Sequence, residues 1–73
     1  MKSHDLHGLK VSESEALFMK YLNEARVSGK IVEVNFITGT GKIQERLKKL
    51  ALENDLNSYV PLSNRGCIVV EFE

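Results

Sequence analysis

The sequence predicts an α/β fold in which four strands and two helices follow one another as β-α-β-α-β-β. Three observations carry that reading. Two segments repeat apolar residues at the three-to-four spacing of a helix, and the segments between and after them are short runs rich in β-branched and apolar residues. Glycine or other turn-forming residues separate each segment from the next. At 73 residues the chain has room for one hydrophobic core, so residues 1–73 are read as a single domain.

The first strand is a short Asp5-Leu6-His7 segment ahead of Gly8. Ser12-Glu13-Ser14-Glu15 then fits a capping box, in which the serine oxygen accepts from the amide three residues on and the glutamate reaches back. Val11, Phe18, Tyr21, Leu22 and Ala25 form one apolar helix face, and Gly29 provides a C-terminal cap. Ile31 to Ile37 reads as a strand with at least one buried face, ended by Thr38-Gly39-Thr40-Gly41. The second helix is marked by Ile43, Leu47, Leu50 and Ala51, with Lys42, Arg46, Lys49 and Glu53 in a stripe on its opposite side. Tyr59-Val60 forms a short strand that Pro61 ends, and Ser63-Asn64-Arg65-Gly66 is a turn. The last strand, Cys67 to Phe72, places Ile68, Val70 and Phe72 on one face and Cys67, Val69 and Glu71 on the other.

Ten Lys and Arg balance ten Asp and Glu, so any contact with a polyanion has to be local. Lys42, Arg46, Lys48 and Lys49 supply such a local excess, opposed by Glu45 alone. A run of this kind usually does no more than solvate a helix face, and only its position can give it a further meaning. A lone Cys67 makes no internal disulfide and reads as a buried small hydrophobe instead of a zinc ligand. His4 reads as solvent-exposed. Met1-Lys2-Ser3-His4-Asp5 lacks the apolar run of a signal peptide, which with the single cysteine favours a reducing, cytoplasmic setting. No stretch approaches the roughly 20 apolar residues that span a bilayer, so no membrane partner is expected.

Position does give the cations a meaning. A β-α-β connection within one sheet normally makes parallel strands, which would bring Asp5-Leu6-His7-Gly8 and Thr38-Gly39-Thr40-Gly41 to the same sheet edge. Open α/β sheets bind ligands there. In an extended segment Asp5 and His7 share a face with Leu6 turned into the core, and a carboxylate beside an imidazole can fix its tautomer for proton transfer. Gly39 and Gly41 let a phosphate approach the backbone, and the helix beginning near Lys42 offers free amides and its positive dipole end. Lys42, Arg46 and Lys49 would extend that attraction along a nucleic-acid backbone. The loop has neither the third glycine of a dinucleotide fingerprint nor the lysine placement of a P-loop, so NAD and ATP are not expected.

Asp5-Leu6-His7-Gly8, the apolar strand, the Thr-Gly-x-Gly loop, the second helix and the terminal Val69-Val70-Glu71 strand together resemble the small MutS-related (Smr) domain family. The resemblance covers essentially the whole chain. It implies a two-layer α+β sandwich with a mixed four-stranded sheet, similar to the C-terminal domain of a bacterial translation initiation factor. It also implies nucleic-acid binding, with endonuclease or nicking activity in many members. Carried over by position, Asp5 and His7 are the acid-base candidates, and Thr38, Gly39, Thr40 and Gly41 match the second motif. Relatives often carry an apolar residue where this chain has His4, which implies a short first strand.

The expected function is therefore phosphodiester cleavage, on RNA in preference to DNA, with the ribosome among the expected partners. His7 would act as general base or acid and Asp5 would orient it. RNA cleavage needs no metal, whereas on DNA a water must attack and Asp5 would hold a divalent ion such as magnesium. The alternative is a non-catalytic RNA- or ribosome-binding module using the same edge. Zero net charge also permits a purely protein-binding domain.

Overall fold

Strand β1 (Lys2–Asp5) leads into helix α1 (Val11–Ser28), strand β2 (Val32–Ile37), helix α2 (Lys42–Glu53), strand β3 (Asn57–Tyr59) and strand β4 (Cys67–Phe72). The computed structural model describes every residue from Met1 to Glu73, and the element order is the expected one. The strands lie in the order β1-β2-β4-β3. β1 and β2 are parallel, with Asp5 opposite Ile37, while β4 runs antiparallel to both β2 and β3, so the sheet is mixed.

Both helices cover one face of this sheet. The core joins Phe18, Tyr21, Leu22 and Ala25 of α1 and Leu47, Leu50 and Ala51 of α2 to Val34, Phe36, Ile68, Val70 and Phe72 of the central strands. These strand residues alternate in sequence, as side chains on one side of a pleated sheet must. Phe72 sits at the aromatic centre, edge-on to Phe18 at 4.9 Å and to Phe36 at 6.1 Å between ring centroids. Such pairs add about 0.5–1.5 kcal/mol each beyond the area they bury. The opposite sheet face, carrying Ser3, Asp5, Asn35, Ile37, Cys67, Val69, Asn57 and Tyr59, has no helix over it.

Four boundaries differ from expectation: β2 begins at Val32, one residue after the expected Ile31, which is exposed, and the others lie in β1, α1 and β3. β1 runs from Lys2 and ends at Asp5, so only Asp5 of the expected Asp5-Leu6-His7 strand lies in it, and Leu6 and His7 are its exit. α1 begins at Val11, two residues early, and the carboxylate that reaches back is Glu13, accepting from the Lys10 amide at 2.8 Å. Ser12 and Glu15 therefore do not form the box. β3 ends at Tyr59, ahead of Val60 and Pro61.

The helix ends follow the chemistry of their residues. Gly29 closes α1 in the left-handed region at φ 69°, its amide donating to Ala25 at 2.9 Å. α2 closes with the Leu56 amide on the Ala51 carbonyl at 2.8 Å and the Asp55 amide on Leu52 at 3.2 Å. This is the paired closure usually built on glycine, here with Asp55 at φ 56°.

Candidate nucleic-acid interface

Parallel β1 and β2 bring the two polar loops to one rim. The Leu6 amide donates to the Ile37 carbonyl at 2.9 Å, which carries the strand pairing one residue past Asp5. Asp5-Leu6-His7-Gly8 and Thr38-Gly39-Thr40-Gly41 therefore leave adjacent strands side by side, about 5 Å apart where the pairing ends.

The first loop is a tight turn anchored by one apolar side chain. Leu6 is fully buried, whereas Asp5, His7 and Gly8 are exposed. The Leu9 amide donates to the Leu6 carbonyl at 3.1 Å, with Gly8 at φ 84°. Positive φ at the third residue alone is the mark of a type II turn, which glycine enters without strain. Asp5 does not bond the His7 ring as expected. Its Oδ1 accepts from the His7 backbone amide at 2.8 Å, because the chain has already left the extended conformation that would align the two side chains. Asp5 thus fixes the backbone that presents the imidazole, and the ring stands free in solvent.

The second loop is stitched to a third. The amides of Thr38 and Gly39 both donate to the Gly66 carbonyl at 2.8 Å, and the Thr38 hydroxyl donates to the Gly39 carbonyl at 2.7 Å and to Gly66 at 3.3 Å. A Cβ on Gly66 would lie 3.5 Å from the Gly39 Cα, so the two backbones meet directly. Gln44 locks the arrangement by donating from Nε2 to the Arg65 carbonyl at 2.7 Å and to Cys67 at 3.0 Å. The sequence predicts that Gly39 and Gly41 let a phosphate approach the backbone, with the free amides supplied by the helix beginning near Lys42. The amides of Thr38 and Gly39 are already engaged, which leaves those of Thr40 and Gly41 and the start of α2 as the donor end. Gly41 caps that helix without a side-chain hydrogen bond, and the first intrahelical bond recorded there runs from Glu45 to Gly41. The amides of the first turn, at Lys42, Ile43 and Gln44, thus lack intrahelical partners.

Lys42, Glu45, Arg46 and Lys49 line a shallow cleft of ≈ 340 Å³ with Val11 of α1. The expected cationic stripe is present, but its members differ. Arg46 donates through Nε and Nη2 to Glu15 Oε2, both at 2.9 Å, with each side chain about 33% exposed. Its charge is therefore largely answered within the protein. Lys42 and Lys49 are exposed and enter no ion pair.

The structure adds residues that pattern reading passed over. Gln44 and the segment Ser63 to Gly66 belong to the rim, although in sequence they were a neutral helix position and a turn. His4 is half-buried and not solvent-exposed: its Nδ1 lies 2.9 Å from the Tyr21 hydroxyl, on the helix side of β1. Lys2 reaches the same ring at 5.2 Å. Cys67 is buried, and no three His, Cys, Asp or Glu side chains come together as metal ligands. No helix is long and apolar enough to cross a membrane.

No family model and no curated protein matches the sequence. Among solved structures, the crystal structure of the Smr domain of Thermus thermophilus MutS2 resembles this chain with a TM-score of 0.78 at 22% sequence identity. The match covers 100% of this chain and 99% of that one, so no element is left over on either side. With a mixed sheet, two helices on one face and both polar loops on one rim, the chain has the fold of an Smr domain over its whole length.

Proposed function

We propose that this rim binds the sugar-phosphate backbone of a nucleic acid, RNA in preference to DNA, and that His7 serves in cleaving it. The observation that carries the reading is the register of β1 against β2. It sets an exposed imidazole beside a loop that ends in unpaired helix amides, with Lys42 following directly. Those amides and the helix dipole favour an anion at this point, and Lys42 and Lys49 extend the favourable field along the α2 cleft. Arg46 contributes less while Glu15 holds it. Asp5 acts as a positioning residue, through the His7 amide.

On RNA the reaction needs a base, the substrate's own 2′-hydroxyl and a proton source for the leaving oxygen, and no metal. His7 takes the proton of a 2′-hydroxyl, the oxygen attacks the adjacent phosphorus, and the 5′-oxygen leaves with a proton from solvent or from a second protonated group. The products are a cyclic phosphate and a free 5′-hydroxyl. On DNA no 2′-hydroxyl exists, so a water must attack, and Asp5 with the phosphate would hold a divalent ion. The Smr resemblance supports nucleic acid as the ligand and leaves the choice between the two to experiment.

A second reading, a binding module without catalysis, is favoured by one specific observation: the Asp5 carboxylate engages backbone and leaves the His7 ring without a carboxylate partner. Incubating the protein and His7→Ala with labelled single-stranded RNA, stem-loop RNA and plasmid DNA, with magnesium or with chelator, separates the two. Cleavage lost in His7→Ala with binding retained supports the enzyme. Binding by both proteins without cleavage by either supports the module, and equal cleavage by both removes His7 from the mechanism.

A further inference from the structure

The sheet face that no helix covers holds a second hollow, of ≈ 290 Å³, lined by Asn35, Tyr59, Pro61, Asn64, Cys67 and Val69 among others. Its side chains are uncharged, the α-amino end of Met1 being the one charged group on a lining residue, in contrast to the lysine cleft on α2. Tyr59 stands at its edge with 55% of its surface exposed, above a floor of buried Cys67 and Val69. The side-chain oxygen of Asn35 is buried and accepts no hydrogen bond. Buried acceptors almost always find donors, so this one marks a place where a donor is missing.

The hollow has a fixed relation to the rim. Ser3, Asn35, Val69 and Tyr59 form one row across the sheet, and Asp5, Ile37 and Cys67 form the next row on the same face. Rows on one face are two residues apart, about 7 Å along the strand. That is close to one step of an extended single strand. A backbone held at the rim would thus bring a neighbouring base over this hollow.

We infer that this hollow is a base-binding subsite for single-stranded nucleic acid, with Tyr59 as the stacking platform and Asn35 as the hydrogen-bonding reader. A nucleobase suits its uncharged, mixed polar and apolar side chains: it is uncharged itself and edged with donors and acceptors. Turning the Asn35 carboxamide about χ2 presents its oxygen and its amide together, the pair that meets the amino group and ring nitrogen of adenine in bidentate contacts. Stacking on an exposed tyrosine tolerates any base, so Tyr59 supplies affinity and Asn35 supplies preference. The inference rests on the nucleic-acid reading of the rim for its geometry, but it is tested without the rim.

Adenosine, which carries no phosphate, is titrated into isotope-labelled protein and followed by NMR. The Asn35 side-chain amide and the Tyr59 ring resonances are expected to shift, and Tyr59→Ala to abolish the shift. Tyr59 is exposed, so its replacement leaves the core intact. In parallel, fluorescence anisotropy with short oligoadenylate should show Tyr59→Ala weakening binding about 5- to 100-fold, while an abasic strand of the same length binds both proteins equally. Asn35→Ala should reduce the difference between oligoadenylate and oligouridylate. Absence of any adenosine-dependent shift overturns the subsite, as does a shift at these residues driven by protein concentration alone, which would make a second copy the occupant. If adenosine binds here while Lys42→Ala leaves RNA affinity unchanged, the subsite stands and the rim reading fails.

Discussion

The glycine loop is stitched to another loop, by Gly66 and Gln44, whereas the Asp5–Gly8 turn, once the Leu6 amide has paired with Ile37 of β2, is closed by its own residues. In the first case six hydrogen bonds, from Thr38, Gly39 and Gln44, either end on a third loop or brace the glycine loop against it. In the second, one buried leucine, its amide bond to Ile37, one carboxylate-to-amide bond and one turn bond suffice. The difference separates the parts of the rim that are framework from those left exposed. Thr38 and Gly39 are framework, and the exposed groups that the proposed reading uses are His7, the free amides from Thr40 to the first turn of α2, and Lys42.

The largest expected effect lies on the self-contained side. Leu6→Ala removes the single apolar anchor of the turn from a fully buried position, and chemical denaturation should show a loss of about 2–5 kcal/mol. A loss below about 1 kcal/mol would mean that the turn is held by something other than Leu6. On the stitched side, Gln44→Ala deprives two carbonyls of their donor, and about 1–3 kcal/mol should disappear from the same transition. Chemical shifts should move at residues 64 to 67 and leave 5 to 8 unchanged; movement in both loops would show that the two halves are one unit. Gly39→Ala meets no atom within 4 Å but forces alanine to φ 74°, which should cost about 1–2 kcal/mol through the backbone alone. The smallest effect belongs to the Arg46–Glu15 pair. A double-mutant cycle should return about 0.2–1 kcal/mol, because both side chains are a third exposed. Glu15→Gln, by freeing Arg46, should steepen the salt dependence of RNA binding, and an unchanged slope would remove Arg46 from the binding path.

How much of this was legible depended on how local each cause was. The strands at Ile31–Ile37 and Cys67–Phe72 and the two helices showed in the period of their apolar residues, and the cap at Gly29 showed in its composition. The loops shared one rim because a β-α-β unit leaves little alternative. β1 was misplaced because Lys2 and His4 occupy its core side, where Tyr21 covers them; a strand whose inward residues are polar has no periodic signature. The start of α1 was ambiguous between Glu13 and Glu15, each following a candidate cap by three residues. That choice is settled at long range, since Glu15 turns to Arg46 on the other helix. The Asp5-to-backbone bond and the joining of Gly39 to Gly66 were invisible for a related reason. One depends on the chain leaving the strand two residues earlier than the tetrapeptide suggested, and the other links positions 27 residues apart in sequence whose proximity only the sheet order creates.

The Gly66 carbonyl, as the common acceptor for the Thr38 and Gly39 amides, has a consequence for dynamics. Amides in a surface glycine loop ordinarily exchange with solvent deuterium almost at once. Here these two should exchange only when the segment carrying Gly66 separates, on the slow timescale of sub-global opening, while Thr40 and Gly41 just beyond them exchange freely. A boundary between protected and labile protons should therefore fall inside a four-residue loop, marking where framework ends and the ligand-facing surface begins.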